Sequence, residues 1–185
     1  KPYSKKVLEN LIIKCKAVTP TYVRIIRLIR DIPAESIIAG NMITNLRQVM
    51  QLRGAQCRCI RCREAREKKF AINDLKLTSL KYQASEGEEY FISFESRDGK
   101  ILYGFCRLRL SGQKTALVRE LHVYGELVSV GGSAKIQHIG LGKRLLTEAE
   151  KIARQEKYKK ILVISGVGVR GYYKKLGYKL ESTYM

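Results

Sequence analysis

The stretch QHIGLGKRLL, residues 137–146, decides the fold that we expect for this chain. Gly140 and Gly142 remove side chains from the predicted start of an amphipathic helix, and Lys143 and Arg144 follow at once. Backbone N–H groups at a helix start carry partial positive charge, so such a turn suits a phosphate. The G-x-G spacing, with Arg after the lysine, fits neither a Rossmann fingerprint nor a Walker loop. Taken alone, a lone G-x-G is a weak signal, and a plain tight turn is the favoured interpretation of the fragment.

The segments around this turn predict an α+β order with one parallel crossover. Upstream, EYFISFES and KILYGFCRLRL alternate about Asp98-Gly99, a strong hairpin signal, and ALVRELHVYG gives another strand that ends at Gly125. Downstream, KILVISG is a short apolar run, which is typical of a strand covered on both faces. VRGYYKKLGY then predicts a short helix, and YKLEST a last strand. The intervening helix has one apolar stripe, formed by Leu141, Leu145, Leu146, Ala149, Ile152 and Ala153.

The first part of the chain differs in composition. Residues 4–18 place apolar side chains at helical spacing, and 44–54 predict a short capped helix. TYVRIIRLIRDIP predicts a strand from about Tyr22 to Leu28. A charged stretch ends near Lys69, so we place a domain boundary near residue 70.

Charge points to the class of partner. The chain has 36 Lys and Arg against 17 Asp and Glu, a net charge of +19. Such an excess attracts polyanions, so nucleic acid is the leading partner class and an anionic membrane surface the other, while life at high temperature or salt is the alternative explanation. No apolar run approaches the ~20 residues of a spanning helix, and no signal-peptide pattern opens the chain, so we expect a cytoplasmic protein with no membrane partner. The opening KPYSKK resembles mid-sequence, and we therefore expect a piece of a longer protein.

Three of the five cysteines lie within the stretch CRCIRC, as Cys57, Cys59 and Cys62. In a cytosolic protein this crowding favours a metal over disulfides, and zinc is the common structural choice. The fourth ligand could be Cys15, Cys106, a histidine or water. An iron–sulfur cluster, a redox pair and unliganded thiols remain alternatives.

The order of antiparallel strands, glycine turn, helix and parallel strand resembles the acetyl-CoA-dependent N-acetyltransferases of the GNAT fold. That family's pyrophosphate motif is Q/R-x-x-G-x-G/A, and Gln137, Gly140 and Gly142 fill it. In this fold the strands equivalent to ELHVY and ILVIS splay apart, and pantetheine pairs with strand backbone in the gap. The resemblance implies a GNAT-type domain, with a mixed, mostly antiparallel sheet and one parallel βαβ crossover.

A closer resemblance covers nearly the whole chain. The motifs VRIIRLIRDIP, NLRQ, CRCIRCREAR, RELHVYG, QHIGLGKRLLTEAEKIAR and ISGVGVRGYYKKLGY resemble, in order, the C-terminal part of the Elongator catalytic-subunit family. That family joins a radical-SAM domain to an acetyltransferase-like domain and modifies the wobble uridine of tRNA. The resemblance implies that residues 1–69 are the end of the radical-SAM domain with a zinc-binding segment, and that 70–185 are the acetyl-CoA domain.

The resemblance also implies a two-part reaction. A 5′-deoxyadenosyl radical made at a 4Fe–4S cluster would abstract hydrogen from the acetyl methyl group, and the carbon radical would add to uridine C5. Hydrolysis of the thioester would leave a carboxymethyl group. The C-x-x-x-C-x-x-C cluster motif is absent here, so S-adenosylmethionine and the 4Fe–4S cluster belong only to the full-length enzyme.

Site residues are carried over by position. The backbone of Glu120, Leu121, His122 and Val123 would line the acetyl and pantetheine slot. The pyrophosphate would be held by Gln137, Gly140, Leu141, Gly142 and Lys143.

Catalytic roles are implied for Tyr172, Tyr173 and Glu120. A phenol near the CoA sulfur can protonate the departing thiolate, and the sequence favours Tyr173 for this position, with core packing as the alternative for the pair. Glu120 could activate a water or an amine, or could simply pair with a neighbouring cation such as Arg119. Ser165 could cap a helix, which is the favoured interpretation, or contact pantetheine.

The tRNA anticodon region would bind a basic surface that contacts phosphates without reading sequence. Its predicted members are Arg24, Arg27, Arg30, Arg58, Arg61 and Arg63. A homo-oligomer or other Elongator-type subunits are further candidate partners. Two other functions stay open, a lysine N-acetyltransferase and a non-catalytic zinc and tRNA-binding module.

Overall fold

The computed structural model describes residues 1–29, 32–43, 45–66, 74–112, 114–124 and 140–185. The chain divides into two compact units, residues 1–63 and 64–185. None of the helices in the described ranges is long and apolar enough to span a membrane. In its described part, the first unit contains helices α1 (Lys5–Val18), α2 (Leu46–Leu52) and α3 (Ile60–Arg63) and a 3₁₀ turn (Ala34–Ser36).

Helix α1 confirms the helix predicted over residues 4–18, and the Ser4 hydroxyl accepts a hydrogen bond from the Val7 N–H at 3.5 Å. Its buried side chains, however, are charged. Glu9 and Lys16 are buried, and Glu9 forms an ion pair with Arg53. The apolar stripe of α1 is largely exposed, including Val7, Leu11 and Val18.

The strand predicted from Tyr22 to Leu28 is wrong, because this segment is irregular. A strand requires a neighbour that satisfies its backbone groups. Here arginine side chains and a backbone N–H at a helix start satisfy the carbonyls of the segment. The acceptors are the carbonyls of Thr21, Val23 and Ile25, which receive bonds from Arg63 (2.9 Å), the Ile60 N–H (2.9 Å) and Arg47 (2.7 Å).

The second unit is built on a five-stranded sheet with the order β1-β2-β3-β4-β5. The first four strands are antiparallel, and β5 runs parallel to β4. The strands are β1 (Leu75–Ala84), β2 (Gly87–Ser96), β3 (Leu102–Leu110), β4 (Thr115–Val123) and β5 (Lys160–Val163), and the helices are α4 (Leu141–Gln155) and α5 (Arg170–Lys175), with a 3₁₀ turn at Val167–Val169. This arrangement confirms the predicted α+β class with one parallel crossover.

The hairpin signal at Asp98-Gly99 is confirmed, since this turn joins β2 to β3. Gly99 has a φ of +70°, which favours glycine, and its N–H donates to the Ser96 carbonyl at 2.8 Å. The sequence missed β1. Its apolar residues do not alternate strictly, and both Leu77 and Leu80 remain exposed.

Helix α4 packs on one face of the sheet through the six residues of its predicted stripe, all of which are buried. They join a core that includes Cys106, Leu108 and Val118 from β3 and β4. This burial fixes the helix start beside the end of β4.

The C-terminal strand predicted from YKLEST is wrong. The chain turns back through Ser182, at a φ of +54°, and forms a single bridge between Glu181 and Tyr184. Met185 then pairs with Val163, accepting from the Val163 N–H at 2.6 Å. Strand β5 is also less covered than predicted, because Lys160 is exposed and only Val163 is fully buried.

Candidate active site

Strands β4 and β5 separate part-way along their length. They pair from Thr115 opposite Lys160 to Val118 opposite Val163, and the Ile164 N–H makes one more bond to the Val118 carbonyl at 2.9 Å. In the described residues, β4 continues beyond this point with a partner only on its β3 side. Its free edge is the splay that the GNAT resemblance implies, and it leaves backbone groups available to an extended ligand.

A β-bulge lies where the two strands part. Arg107 of β3 is opposite Glu120 and Leu108 is opposite Val118, so Arg119 is the extra residue on β4. Bulges increase the local twist and bend the strand that contains them. The bulge therefore accounts for the divergence of the end of β4 from β5.

The start of α4 lies next to this opening. Gly140 is the N-cap residue with a φ of +71°, no side chain of the described residues caps the helix, and its first turn contains no acidic residue. A Cβ on Gly142 would lie 2.8 Å from the Tyr172 hydroxyl and 3.7 Å from Val123 Cγ2. Glycine is thus required at 142 by the close approach of a tyrosine, and the uncapped N–H groups form a site for an anion.

A family model for the acetyltransferase (GNAT) family matches residues 51–178, which is more than half of the chain. The chain belongs to the GNAT family. Several of the relatives to which it is similar are much longer proteins. It is 44% identical over 204 residues to the tRNA uridine(34) acetyltransferase of Dehalococcoides mccartyi, covering 100% of this chain and 44% of that protein.

Two further relatives are similar to the chain over nearly its whole length. This GNAT chain is 40% identical to human Elongator complex protein 3, covering 100% of the chain and 38% of that protein. Among solved structures it matches the archaeal Elp3 of Methanocaldococcus infernus with an N-terminal deletion, at a TM-score of 0.85 and 41% identity, over 99% of this chain and 48% of that one. The chain therefore spans less than half the length of these relatives.

The charged residues after the glycine turn differ in their surroundings. Lys143 is exposed, and no described carboxylate pairs with it. The Arg144 guanidinium lies over the Phe94 ring at 4.6 Å, which holds it against the sheet. The Leu141 side chain is buried in the core, so only its backbone can meet a ligand. The predicted contact from Gln137 lies outside the described residues.

The two tyrosines of α5 occupy different environments. The sequence favours Tyr173 for the slot, but its ring is only 5% exposed and packs in the core of the GNAT domain, where burial raises its pKa to about 12. Tyr172 instead places its hydroxyl at the α4 start and is 40% exposed. Burial raises the pKa of Tyr172 as well, so the phenol keeps its proton at neutral pH. Tyr172 is therefore the tyrosine that this geometry brings to the opening.

Glu120 lies on β4, and each oxygen of its carboxylate has a basic side chain beside it. One oxygen accepts from Arg107 Nε at 3.2 Å, and the other lies 3.7 Å from His122 Nε2. Arg119, the partner considered from sequence, instead pairs with Glu89. Sequence reasoning missed Arg107, although its position directly opposite Glu120 follows once the strand register is known.

Ser165 follows β5, close in sequence to the last paired residue. Its hydroxyl is buried and has no hydrogen-bond partner in the described structure, and Gly166 rather than Ser165 precedes the 3₁₀ turn. The capping role favoured from sequence is thus not observed. A buried hydroxyl without a partner is unfavourable and is commonly completed by a ligand or a water.

The three clustered cysteines come together as predicted. Their Sγ atoms lie within 4.8 Å of one another, and no other described His, Cys, Asp or Glu joins the group. Two candidate fourth ligands do not join them: Cys15 is exposed on α1, and Cys106 is buried in the sheet core, where burial raises its pKa to about 12. His138 lies outside the described residues. The cluster therefore offers a metal ion three sulfur ligands.

Two cations that the sequence did not single out surround these sulfurs. The buried Lys16 ammonium lies 3.8 Å from Cys62 Sγ, and Arg47 Nη1 lies 3.4 Å from the same atom. The Cys62 thiol donates to Cys59, which lowers the pKa of Cys59 to about 4 and raises the pKa of Cys62. No sequence signal distinguishes Lys16 from the other lysines of α1.

The arginines predicted to contact tRNA are not equivalent. Arg58 and Arg27 are exposed, and Arg24 and Arg61 are half-buried. Arg63 does not fit a phosphate contact, because it is 2% exposed and donates to the carbonyls of Arg58 (2.8 Å) and Thr21 (2.9 Å). Arg30 lies outside the described residues.

Proposed function

We propose that this chain is the acetyl-CoA-binding part of an enzyme that modifies the wobble uridine of tRNA, and that it hydrolyses acetyl-CoA when tRNA is bound. The observation that carries the proposal is the uncapped start of α4 beside the free edge of β4. The relatives named tRNA uridine(34) acetyltransferase and Elongator complex protein 3 support the choice of substrate. In the full-length enzyme, the radical step with S-adenosylmethionine and a 4Fe–4S cluster would precede hydrolysis and yield a 5-carboxymethyl group.

The diphosphate of CoA would bind at the α4 start. The N–H groups that follow Gly140 point away from the helix, and Lys143 supplies a full positive charge beside them. Gln137 is proposed as a further contact. The pantetheine arm would then run along β4 and pair with the backbone of Glu120, Leu121, His122 and Val123.

Tyr172 is the proposed acid for the departing thiolate. Its hydroxyl lies over Gly142, at the junction between the phosphate site and the strand edge. Because burial raises its pKa, the phenol stays protonated and donates a hydrogen bond to the sulfur as the C–S bond breaks. A thiol is the stronger acid of the two, so the phenol stabilises the developing thiolate by sharing its proton rather than by losing it. The Ser165 hydroxyl, which has no hydrogen-bond partner among the described residues, is proposed to bond to pantetheine.

Glu120 and His122 are the proposed groups that position and deprotonate the attacking water. The ion pair between Glu120 and Arg107 holds the carboxylate, whose second oxygen faces the imidazole. Glu120 is 38% exposed and thus reachable by water. Catalytic hydrogen bonds often shorten to contact distance only when substrate is bound. The 3.7 Å between the Glu120 carboxylate and His122 Nε2 is therefore compatible with proton transfer between them.

Zinc is the proposed ion for Cys57, Cys59 and Cys62. Three thiolates and one Zn²⁺ leave one negative charge, and Lys16 and Arg47 offset it from 3.8 and 3.4 Å. The soft sulfur donors suit zinc, which would serve to hold the loop that leads into α3 against the start of that helix. The fourth ligand stays a prediction.

The tRNA surface is proposed to consist of Arg24, Arg27, Arg30, Arg58 and Arg61. Arg63 is left out because it is buried and donates to backbone carbonyls. Binding through phosphates predicts that affinity falls steeply as salt rises, and an affinity indifferent to salt would exclude this account. A cytoplasmic location, the assignment of 1–69 to a radical-SAM domain and partners of the Elongator type belong to the same proposal.

Measurement of CoA release with and without tRNA tests the function. Release that requires tRNA supports the proposal, release with peptide amines supports a lysine N-acetyltransferase, and none in any condition leaves a zinc and tRNA-binding module. We expect Tyr172→Phe to slow release about 10²-fold or more while Tyr173→Phe retains it wherever the core stays folded. Equal losses in the two variants would contradict the assignment of Tyr172.

Metal analysis tests the cysteine site. Replacement of Cys57, Cys59 and Cys62 by Ser is expected to abolish bound zinc, whereas the matched change Cys15→Ser leaves it intact. Unaltered zinc content in the triple variant would remove the metal assignment.

A further inference from the structure

We propose that the rings of His122 and Tyr124 form a slot for one unpaired nucleobase of the RNA substrate, a proposal that rests on the tRNA-modifying function above. The two rings are nearly parallel, with an interplanar angle of 9° and centroids 6.4 Å apart. The His122 side chain is 53% exposed, so this ring of the pair is accessible to solvent.

The spacing of the rings follows from the strand. Residues two apart on a strand lie on one face at about 6.4–6.8 Å, since each residue advances the chain by about 3.2–3.4 Å. Tyr124 continues this geometry beyond β4, because its N–H donates to the Tyr103 carbonyl of β3 at 2.8 Å. Stacked bases along one strand of nucleic acid repeat every ~3.4 Å. The 6.4 Å between the two ring centroids is close to twice this stacking distance, so a single planar base inserted between the rings would contact both.

A third ring, from the neighbouring strand β3, lies beside the slot. Phe105 is fully buried, and its centroid lies 5.1 Å from that of His122 and 6.2 Å from that of Tyr124. Arg107 extends over the same Phe105 ring at 5.9 Å. The Phe105 ring supports the two rings from the neighbouring strand, and the Arg107 guanidinium at the margin is paired with Glu120. Aromatic rings of this kind are what single-stranded nucleic-acid stacking sites present to bases.

The slot and the CoA site lie on opposite faces of the sheet. The Val123 side chain faces the α4 start, since its Cγ2 lies 3.7 Å from a Cβ built on Gly142. Successive strand residues point to opposite faces, so His122 and Tyr124 point away from α4. A thioester that lies along the β4 edge would thus be approached by the base from the other face, and the two substrates meet at one strand.

Stacking and proton transfer make different demands on His122. A stacking wall requires a planar ring of any kind, whereas a base requires a titratable nitrogen beside Glu120. His122→Phe preserves the first and removes the second, so this variant separates the slot proposed here from the hydrolytic role proposed above.

The test uses the whole chain and an anticodon stem-loop RNA that carries 2-aminopurine at the wobble position, whose fluorescence falls when the base is stacked. We expect the wild-type chain to quench this fluorescence on binding. His122→Ala and Tyr124→Ala should each lose the quenching and weaken binding about 5- to 100-fold, while His122→Phe retains both. Tyr3→Ala, which changes a tyrosine that is 65% exposed in the first unit, is the matched control.

Binding of a non-reactive CoA analogue, measured by calorimetry on the same samples, reports that each variant is folded and that the CoA site exists. Unchanged quenching in both Ala variants, or RNA binding by the wild type without any quenching, overturns the slot and leaves the CoA proposal in place. Loss of CoA-analogue binding by the wild type overturns the proposed function instead. Should Tyr124→Ala unfold, Tyr124→Leu replaces it with a side chain that fills space without stacking.

Discussion

Helices α1 and α4 have the same kind of sequence pattern and opposite outcomes. In α4 the apolar stripe is buried against the sheet, and no charged residue of the helix is buried. In α1 the buried residues are Glu9 and Lys16, while Val7, Leu11 and Val18 remain exposed. The spacing of apolar residues therefore predicted both helices, but it predicted the buried face correctly only for α4.

The difference lies in what each helix meets. Helix α4 packs on sheet residues such as Cys106 and Val118, which offer only apolar surface. The inward face of α1 meets Arg53 and the sulfur of Cys62, which can bind charges. A buried charge is tolerated where it is paired, so the partner decided which face of α1 is turned inward.

The largest expected effect tests this contrast directly. Leu145→Ala removes a fully buried side chain of α4 and should lower the free energy of unfolding by about 2–5 kcal/mol. Leu11→Ala in α1, where the side chain is 44% exposed, should lower it by less than about 1 kcal/mol. Urea unfolding monitored by circular dichroism gives both values. Equal losses would contradict the burial described for α1.

Two buried carboxylates, one in each unit, extend this comparison. Glu89 of β2 accepts from Tyr82 at 2.6 Å and pairs with Arg109 and Arg119, whereas Glu9 pairs with Arg53 and has one oxygen without a partner. We expect Glu89→Gln to lower the free energy of unfolding by about 2–3 kcal/mol at neutral pH, and Glu9→Gln by less than about 1 kcal/mol.

The Glu89 effect should depend on pH. Burial tends to raise the pKa of Glu89, but the bonds from Tyr82 and Arg119 outweigh it, and the pKa lies below its usual value. The carboxylate thus stabilises the folded state above about pH 4 and ceases to do so as the pH falls through the lowered pKa. Unfolding of wild type and Glu89→Gln should therefore converge in acid. A constant difference down to pH 2 would contradict the ion network.

A smaller effect concerns the start of α4. Gly142→Ala gains about 1 kcal/mol of helix propensity but places a Cβ 2.8 Å from the Tyr172 hydroxyl. In a Tyr172→Phe background the oxygen is gone, and the next contacts are 3.7 and 3.8 Å. We expect the glycine change to be neutral or destabilising alone and stabilising in that background, a coupling of about 1–2 kcal/mol by double-mutant cycle. Additive effects would show that Tyr172 does not lie over Gly142.

The smallest effect compares two helix starts of the first unit. Ser4 caps α1 through its hydroxyl, whereas Asn45 precedes α2 without a side-chain bond. Ser4→Ala should lower the free energy of unfolding by about 0.5 kcal/mol and Asn45→Ala by less, as measured by thermal unfolding. The reverse order would contradict the cap assignment.

Local patterns predicted most of the second unit. The glycine turn, the apolar stripe of α4 and the Asp98-Gly99 hairpin each carry their own geometric requirement, so their positions were readable without knowledge of the fold. The segment around Tyr22 was misread because β-branched residues favour a strand only where a neighbouring strand exists. Arginine side chains took that place instead.

The sequence by itself determined where helix α4 begins, that glycines and no acidic residue form its first turn, and that three thiols lie close together. Tertiary structure alone decided that Tyr172 rather than Tyr173 reaches the opening, that Glu120 pairs with Arg107 and that Arg63 is buried. Short-range features depend on neighbouring residues of the chain, which the sequence displays. The direction in which a side chain points depends on contacts with residues tens of positions away, and these exist only once the sheet has formed.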